Sequence, residues 1–323
     1  MAKPKVLVTR RWPAAVEAQL SEAFDTVLNT GDKPLNEAEI QDALKTYDAV
    51  LPTVTDTISA KALDVTRPQT RILANYGVGY SHIDMGKVVD HGMTVTNTPD
   101  VLSECTADIA MTLLLMVARR AGEGERELRA GEWTGWRPTH LVGTKVSGKT
   151  LGIVGFGRIG QEMARRAHHG FGMKILVQNR SAVNPEILAK YNATQVEDLE
   201  ALMPQCDFVS LHCPGGAANR HLINTRMLNL MKPDGFLINT ARGEVIDELA
   251  LSRALWFETI GGAGLDVFDG EPRINPDLMD CDNLVMLPHL GSAPREAREA
   301  MGFRVFENLC DFFEGREPRD RVN

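Results

Sequence analysis

Residues 150–167 read TLGIVGFGRIGQEMARRA, and the fold is decided there. TLGIV is an apolar run of strand length, GFGRIG occupies 155–160, and the remainder has helical spacing. Three glycines in this spacing mean little alone. Wedged between a buried strand and a helix start, each meets a separate need. Gly155 makes a tight turn, Gly157 lets a pyrophosphate approach closely, and Gly160 allows helix–strand packing. A helix opening at Arg158 and Ile159 would offer free amides and the positive end of its dipole to phosphates. The stretch predicts a dinucleotide-binding unit, with Gly155, Phe156, Gly157, Arg158, Ile159 and Gly160 against the cofactor.

Outward from this unit, short apolar runs alternate with helical stretches. Downstream they are KILVQ (174–178), DFVSLH (207–212), GFLINT (235–240), GGAGLDVF (261–268) and NLVMLP (283–288). Upstream they are KVLV (5–8), AVL (49–51), ILAN (72–75) and TVTN (94–97). Such alternation predicts parallel strands with crossover helices, in two α/β doubly wound sets, the second beginning near residue 150. A long helix is expected from Ser103, after Thr98-Pro99-Asp100, with Arg119-Arg120 marking its end. The closing amphipathic segment, 294–315, would return to pack on the first domain.

A chain of 323 residues suits two domains, and 43% hydrophobic with 24% charged residues is the balance of a globular protein. Lys and Arg number 35 against 43 Asp and Glu, a net charge of −8 without any basic run, which argues against nucleic acid as a partner. The N-terminus lacks the long apolar stretch of a secretory signal, and the apolar helix segment 109–118 is too short to span a membrane. Five cysteines (105, 206, 213, 281 and 310) form no CxxC pair, so neither a disulfide framework nor a structural zinc site is expected. His212 and Cys213 adjoin, but no further ligands stand at zinc spacing, and no GxSxG elbow is present. No metal is expected. A reduced, cytoplasmic enzyme is.

The strand KILVQ ends in Asn179-Arg180-Ser181, where an NAD site would place Asp or Glu about 20 residues after the glycines. A carboxylate there would repel a 2′-phosphate. Asn179 does not, and Arg180 can pair with one, so NADP(H) is expected over NAD(H), which stays possible. A solvated arginine at a strand end is the alternative. Three further strand ends carry polar residues: Arg242 in INTARGEVIDE (238–248), Asp266 and Glu271 in GLDVFDGEP (264–272), and His289 in LVMLPHLGSA (284–293). Ligands of open parallel sheets sit beyond such carboxyl ends.

In this order and spacing, GFGRIG, TARGEVIDE, GLDVFDGEP and LPHLGSA resemble the D-isomer-specific 2-hydroxyacid dehydrogenase family. NRS after the second strand and GEWTGWRP (131–138) most resemble its glyoxylate/hydroxypyruvate reductase branch. The resemblance implies a Rossmann NAD(P)-binding domain at 101–290 and a smaller flavodoxin-like substrate domain at 1–100 plus 291–323. It implies that Arg242 binds the substrate carboxylate and polarises the carbonyl, and that His289 delivers the proton. Glu271 would pair with His289 and keep that proton available near neutral pH, and Asp266 would hold the nicotinamide carboxamide. Thr106, Cys213, Pro214, Thr240, Ala241 and Gly291 would join Asn179, Arg180 and Ser181 around the cofactor. Val54, Val78 and Gly79 would contact the substrate, the last two through turn amides that can receive a carboxylate. The GEWTGW segment would lie in a homodimer interface, with Trp136 reaching the partner's active site. An ordinary loop anchor is the equal alternative for Trp136.

The implied activity is NADPH-dependent reduction of glyoxylate or hydroxypyruvate to a D-2-hydroxy acid. The alternatives are a dehydrogenase for another 2-hydroxy acid, such as phosphoglycerate, or an NAD(P)-sensing corepressor of the same fold. Long phosphoglycerate dehydrogenases add a regulatory domain, and corepressors usually add disordered tails, of which this chain shows neither. Formate dehydrogenases place Gln where this chain has Glu271.

Overall fold

The computed structural model describes residues 2–323. The chain divides into two compact units, 1–102 with 293–323, and 103–292.

In the first unit, β1 (Lys5–Val8), β2 (Asp25–Leu28), β3 (Ala49–Leu51), β4 (Ile72–Ala74) and β5 (Thr94–Thr96) form a parallel sheet in the order β2-β1-β3-β4-β5. That is the flavodoxin-like order. The strands AVL, ILA and TVT are buried throughout, as strands covered on both faces must be. The helix Arg295–Phe313 belongs to this unit and lies against Ala14–Ala23. A side chain on Gly302 would stand 2.6 Å from Val16, so only glycine admits this approach. Phe24 packs edge-on to Phe306 at 6.0 Å. Beyond the helix, Asn308 and Asp320 exchange two hydrogen bonds of 3.0 and 3.1 Å, and the Val322 amide donates to the Val95 carbonyl on β5.

The second unit holds β6 (Thr150–Val154), β7 (Lys174–Gln178), β8 (Ala193–Gln195), β9 (Phe208–Leu211), β10 (Phe236–Asn239), β11 (Gly262–Leu265) and β12 (Leu284–Met286). All are parallel, in the order β12-β11-β10-β9-β6-β7-β8. Counted within the unit this is the Rossmann order 3-2-1-4-5-6, extended by one strand. The topological switch falls between β6 and β9. The helix Ser103–Ala118 lies close on β11, because Cβ atoms at Gly262 and Gly264 would come within 2.8 Å of Val117 and 2.9 Å of Leu113. The glycines of GGAGL are therefore packing residues.

Three elements differ from the sequence expectation. The edge strands β2 (DTVL) and β8 (ATQ) are half exposed and carry no apolar run. The long helix stops at Ala118; Arg120 adopts φ +51° and pairs with Glu123 at 2.6 Å, opening a second helix, Ala121–Ala130. AGEGERELRA buries no residue, so no apolar stripe signals it. Among the described residues no helix is long and apolar enough to cross a membrane.

Candidate active site

At the switch point β6 runs into Gly155, whose φ of +90° suits glycine alone. A Cβ on Gly155 would meet the Cys213 amide nitrogen at 2.7 Å, and one on Gly160 would meet the Gly155 carbonyl at 2.3 Å. Around Gly157 nothing lies within 4 Å of where a Cβ would be, and this residue caps the helix Arg158–Arg165 without any side-chain acceptor. An uncapped helix start beneath open space fits a pyrophosphate. Asn179 Oδ1 accepts from the Phe156 amide at 3.1 Å, and its Nδ2 donates to the carbonyl and hydroxyl of Ser181. Both ends of this amide thus brace the loop. Arg180 is exposed and has no carboxylate partner among the described residues. The donor set fits a dinucleotide, and no carboxylate stands in Asn179-Arg180-Ser181 to reject a 2′-phosphate.

Beyond Leu211, His212 contacts the Ser210 hydroxyl at 2.9 Å, and burial pushes the imidazole down to about 3, so it is neutral. Burial raises the Cys213 thiol to about 11, which leaves no reactive thiolate at neutral pH. Thr240, just after β10, has a buried hydroxyl without a partner among the described residues, a polar group that a bound molecule could satisfy.

From β10 the chain turns through Thr240-Ala241-Arg242. Asn239 grips both sides of this turn, accepting from the Ala241 amide at 2.9 Å and donating to the Arg242 carbonyl at 2.9 Å. Arg242 Nη1 donates to the Ala241 carbonyl at 2.7 Å. A Cβ on Gly243 would fall 1.9 Å from the Phe268 carbonyl carbon, so this residue must be glycine if the turn is to lie on 268–269. Gly215 packs on the Arg242 stem, where a Cβ would meet Cγ at 2.8 Å, and the Gly216 amide donates to Glu244 at 3.0 Å. Burial pulls the Arg242 guanidinium down from its ordinary value, and the charges of Glu244 and Glu271 partly restore it.

β11 leads into Asp266, a residue 1% exposed whose carboxylate accepts the amides of Leu290 at 2.6 Å and Gly291 at 2.8 Å. The His289 amide donates to the Asp266 carbonyl at 2.9 Å, and Thr106 donates to the Gly291 carbonyl at 3.2 Å. Together these contacts hold His289 at φ +56°, a backbone state that most side chains avoid. Burial raises the Asp266 carboxyl, against the two amides and His289. Glu271 Oε1 accepts from the Phe268 amide at 2.9 Å, and Oε2 lies 2.8 Å from His289 Nδ1. Burial would raise Glu271, but His289, the Phe268 amide and Arg242 outweigh it and hold the carboxyl below its usual range. Nε2 of His289 has no hydrogen-bond partner among the described residues and is the ring nitrogen left open.

The structure thus brings Arg242, Glu271, Asp266 and His289 to adjacent strand ends of one unit. Val54, Val78 and Gly79 lie in the other, where a Cβ on Gly77 would be 3.3 Å from Val54 Cγ1. Trp136 is 82% exposed, and no hydrogen bond or ring contact among the described residues ties it to Arg242, Glu271 or His289. Sequence reasoning passed over Asn239 and Glu244. An asparagine closing a wholly buried strand was the available signal for the first, and Glu244 offered none.

Three comparisons agree with this geometry. Residues 111–291 match the model of the D-isomer specific 2-hydroxyacid dehydrogenase, NAD binding domain. A glyoxylate reductase of Thermococcus litoralis is 43% identical over 325 residues, spanning 99% of this chain and 97% of the relative. A glycerate dehydrogenase of Hyphomicrobium methylovorum is 36% identical, spanning 98% of each. The crystal structure of an NADPH-dependent glyoxylate/hydroxypyruvate reductase of Sinorhizobium meliloti, in complex with NADP and malonate, superposes with a TM-score of 0.89. It is 33% identical and covers 99% of this chain and 97% of that one.

Proposed function

Because the chain belongs to the D-isomer specific 2-hydroxyacid dehydrogenases, we propose that it reduces glyoxylate and hydroxypyruvate to D-2-hydroxy acids and prefers NADPH. The observation that carries the chemistry is the 2.8 Å contact between His289 Nδ1 and Glu271, with Nε2 left open. A bound nicotinamide supplies hydride for the carbonyl carbon. His289 gives its Nε2 proton to the carbonyl oxygen as charge develops there. Glu271, kept ionised, orients the ring through Nδ1 and stabilises its protonated form. Arg242 binds the carboxylate with a planar fork and draws density from the carbonyl. The amides of Val78 and Gly79 are the proposed seat for the carboxylate, with Val54 as an apolar wall. Asp266 holds the turn that carries His289 and has lone pairs to spare for the carboxamide.

NADPH preference is supported by the exposed Arg180, without a carboxylate partner among the described residues, and by Asn179 in place of a carboxylate. Initial rates with glyoxylate, hydroxypyruvate, pyruvate and phenylpyruvate, each with NADPH and NADH, test the whole reading. The two short acids with NADPH should show the highest kcat/KM. Arg180→Ala should lose about 10–100-fold in NADPH kcat/KM, the value of one charge-assisted bond, with NADH unaffected. NADPH left unoxidised with all four acids overturns the proposal.

We further propose that a second copy of the chain covers the exposed apolar face of residues 128–142. There Leu128, Trp133, Trp136 and Val142 are 61%, 52%, 82% and 65% exposed. Large apolar side chains so concentrated are seldom left in water. In that homodimer Trp136 would reach the partner's site. Sedimentation at the mass of a single 35.5 kDa chain at micromolar concentration would remove this proposal.

A further inference from the structure

The loop proposed to seat the carboxylate is polarised by side chains that no role yet explains. Asn75, wholly buried just after β4, donates Nδ2 to the carbonyls of Gly77 at 2.9 Å and Gly79 at 3.1 Å. Its Oδ1 lies 3.0 Å from His82 Nε2. Asn97, just after β5, donates Nδ2 to the Val78 carbonyl at 2.9 Å. The Gly77 carbonyl also accepts the Thr98 amide at 3.1 Å. The three successive carbonyls of Gly77, Val78 and Gly79 are therefore each held by a side-chain amide. The amides of Val78 and Gly79 have no acceptor among the described residues. Consecutive free amides of a turn make a concavity for an anion.

We infer that Asn75, locked by His82, is a positioning residue for the substrate carboxylate, with Asn97 assisting. This rests on the reductase reading above. The chemistry of the donors sets the arrangement. Both Nδ2 hydrogens of Asn75 are committed to carbonyls, so its Oδ1 must accept, and His82 Nε2 must carry the proton it offers. Were the amide to rotate, its oxygen would face two carbonyl oxygens and His82 Nε2–H would face an NH2. The His82 bond therefore selects the one orientation of Asn75 that draws the carbonyls inward and leaves the Val78 and Gly79 amides for the ligand. Neither Asn75 nor His82 need touch the substrate; they act through the loop.

Steady-state kinetics of Asn75→Asp, His82→Gln and His82→Phe test this, with far-UV circular dichroism confirming the fold of each. Asn75→Asp keeps the acceptor for His82 but removes both donors and sets a negative charge behind the amides. Its glyoxylate KM should rise about tenfold or more, with kcat and the NADPH KM changed by less than about threefold, the pattern of lost ground-state binding. The Ki of oxalate, a carboxylate without a reducible carbonyl, should rise in parallel. His82→Gln places an NH near the position of Nε2 and should restore near-wild-type KM, whereas His82→Phe should not. A glyoxylate KM in Asn75→Asp within about twofold of wild type overturns the inference. So does a fall in kcat together with a rise in both KM values, the mark of a merely structural loss. If Asn75→Asp does not fold, the His82 pair decides: equal KM values in the Gln and Phe variants overturn the inference, and rescue by Gln alone supports it. A wild-type enzyme that turns over no 2-oxo acid overturns the reductase reading and this one with it. Wild-type turnover with unaltered variants overturns this one only.

Discussion

Replacing His289 by asparagine lowers kcat/KM for glyoxylate by about 10²–10⁴-fold, the worth of a positioned general acid. NADPH affinity should stay within about threefold, since the glycine loop at 155–160 is left untouched. Asparagine is the informative choice for two reasons. The backbone at position 289 sits at φ +56°, which Asn tolerates better than most residues with a side chain do. Its Nδ2 can also keep the contact that Nδ1 makes with Glu271 Oε2 at 2.8 Å. The turn and its partner then survive, and only the proposed proton donor at Nε2 is lost. A variant retaining more than about a tenth of wild-type kcat/KM would show that the proton comes from elsewhere. Glu271→Gln is the companion measurement. His289, the Phe268 amide and Arg242 together hold the Glu271 carboxyl below its usual value in spite of burial. A depressed carboxyl contributes stability that is present above its unfolded pKa, near 4.3 for Glu, and is lost as pH falls through the folded value. The stability that Glu271 contributes should therefore persist through the ordinary carboxylate range and be lost only at more acid pH. In Glu271→Gln no anion stands beside His289 Nδ1, and kcat/KM for glyoxylate should fall by about 10²-fold. A loss under about threefold would separate Glu271 from the proton transfer.

Arg242→Lys should cost about 10³-fold in kcat/KM, or about 4 kcal/mol of transition-state stabilisation, although the formal charge is kept. The guanidinium does two things that an ammonium cannot. It presents a planar fork to a carboxylate, and it stays charged where burial works against charge. Lysine in the same place would be a single point donor whose charge burial can remove. The loss should fall on both KM for the 2-oxo acid and kcat if, as proposed, the same group binds the carboxylate and draws density from the carbonyl. The Asn239 bonds to the Ala241 amide and the Arg242 carbonyl are made to the backbone, so the turn itself should persist. Wild-type-like kcat with a purely raised KM would confine Arg242 to substrate binding.

What was legible in the sequence follows from how local each requirement is. The glycines at 155, 157 and 160 answer to a turn, an open approach and a helix contact within six residues, and the motif announces them. Inner strands such as AVL and ILA are covered on both faces and read as apolar runs. The edge strands DTVL and ATQ are half in water and lack that pattern. Arg242, Glu271 and His289 stood out because each interrupts or follows an apolar strand run, and the family resemblance gave them roles. Their supports did not stand out. Gly243 must be glycine because of Phe268, 25 residues away, and Gly302 because of Val16, nearly the whole chain away. Such needs belong to tertiary contact and leave no mark in the neighbouring residues. The grip of Asn239 on the Arg242 turn is intermediate, a lone polar residue closing the buried strand FLIN that pattern alone could flag but not explain.

The helix Arg295–Phe313 joins the unit built by residues 1–102. A chain growing from its N-terminus completes every segment of the dinucleotide-binding unit by Ser292, while the opening unit still lacks its last helix and the tie from Val322 to β5. During synthesis, the part made first is the part finished last. Val16 and Phe24 wait through almost the entire translation of the protein for Gly302 and Phe306 to cover them.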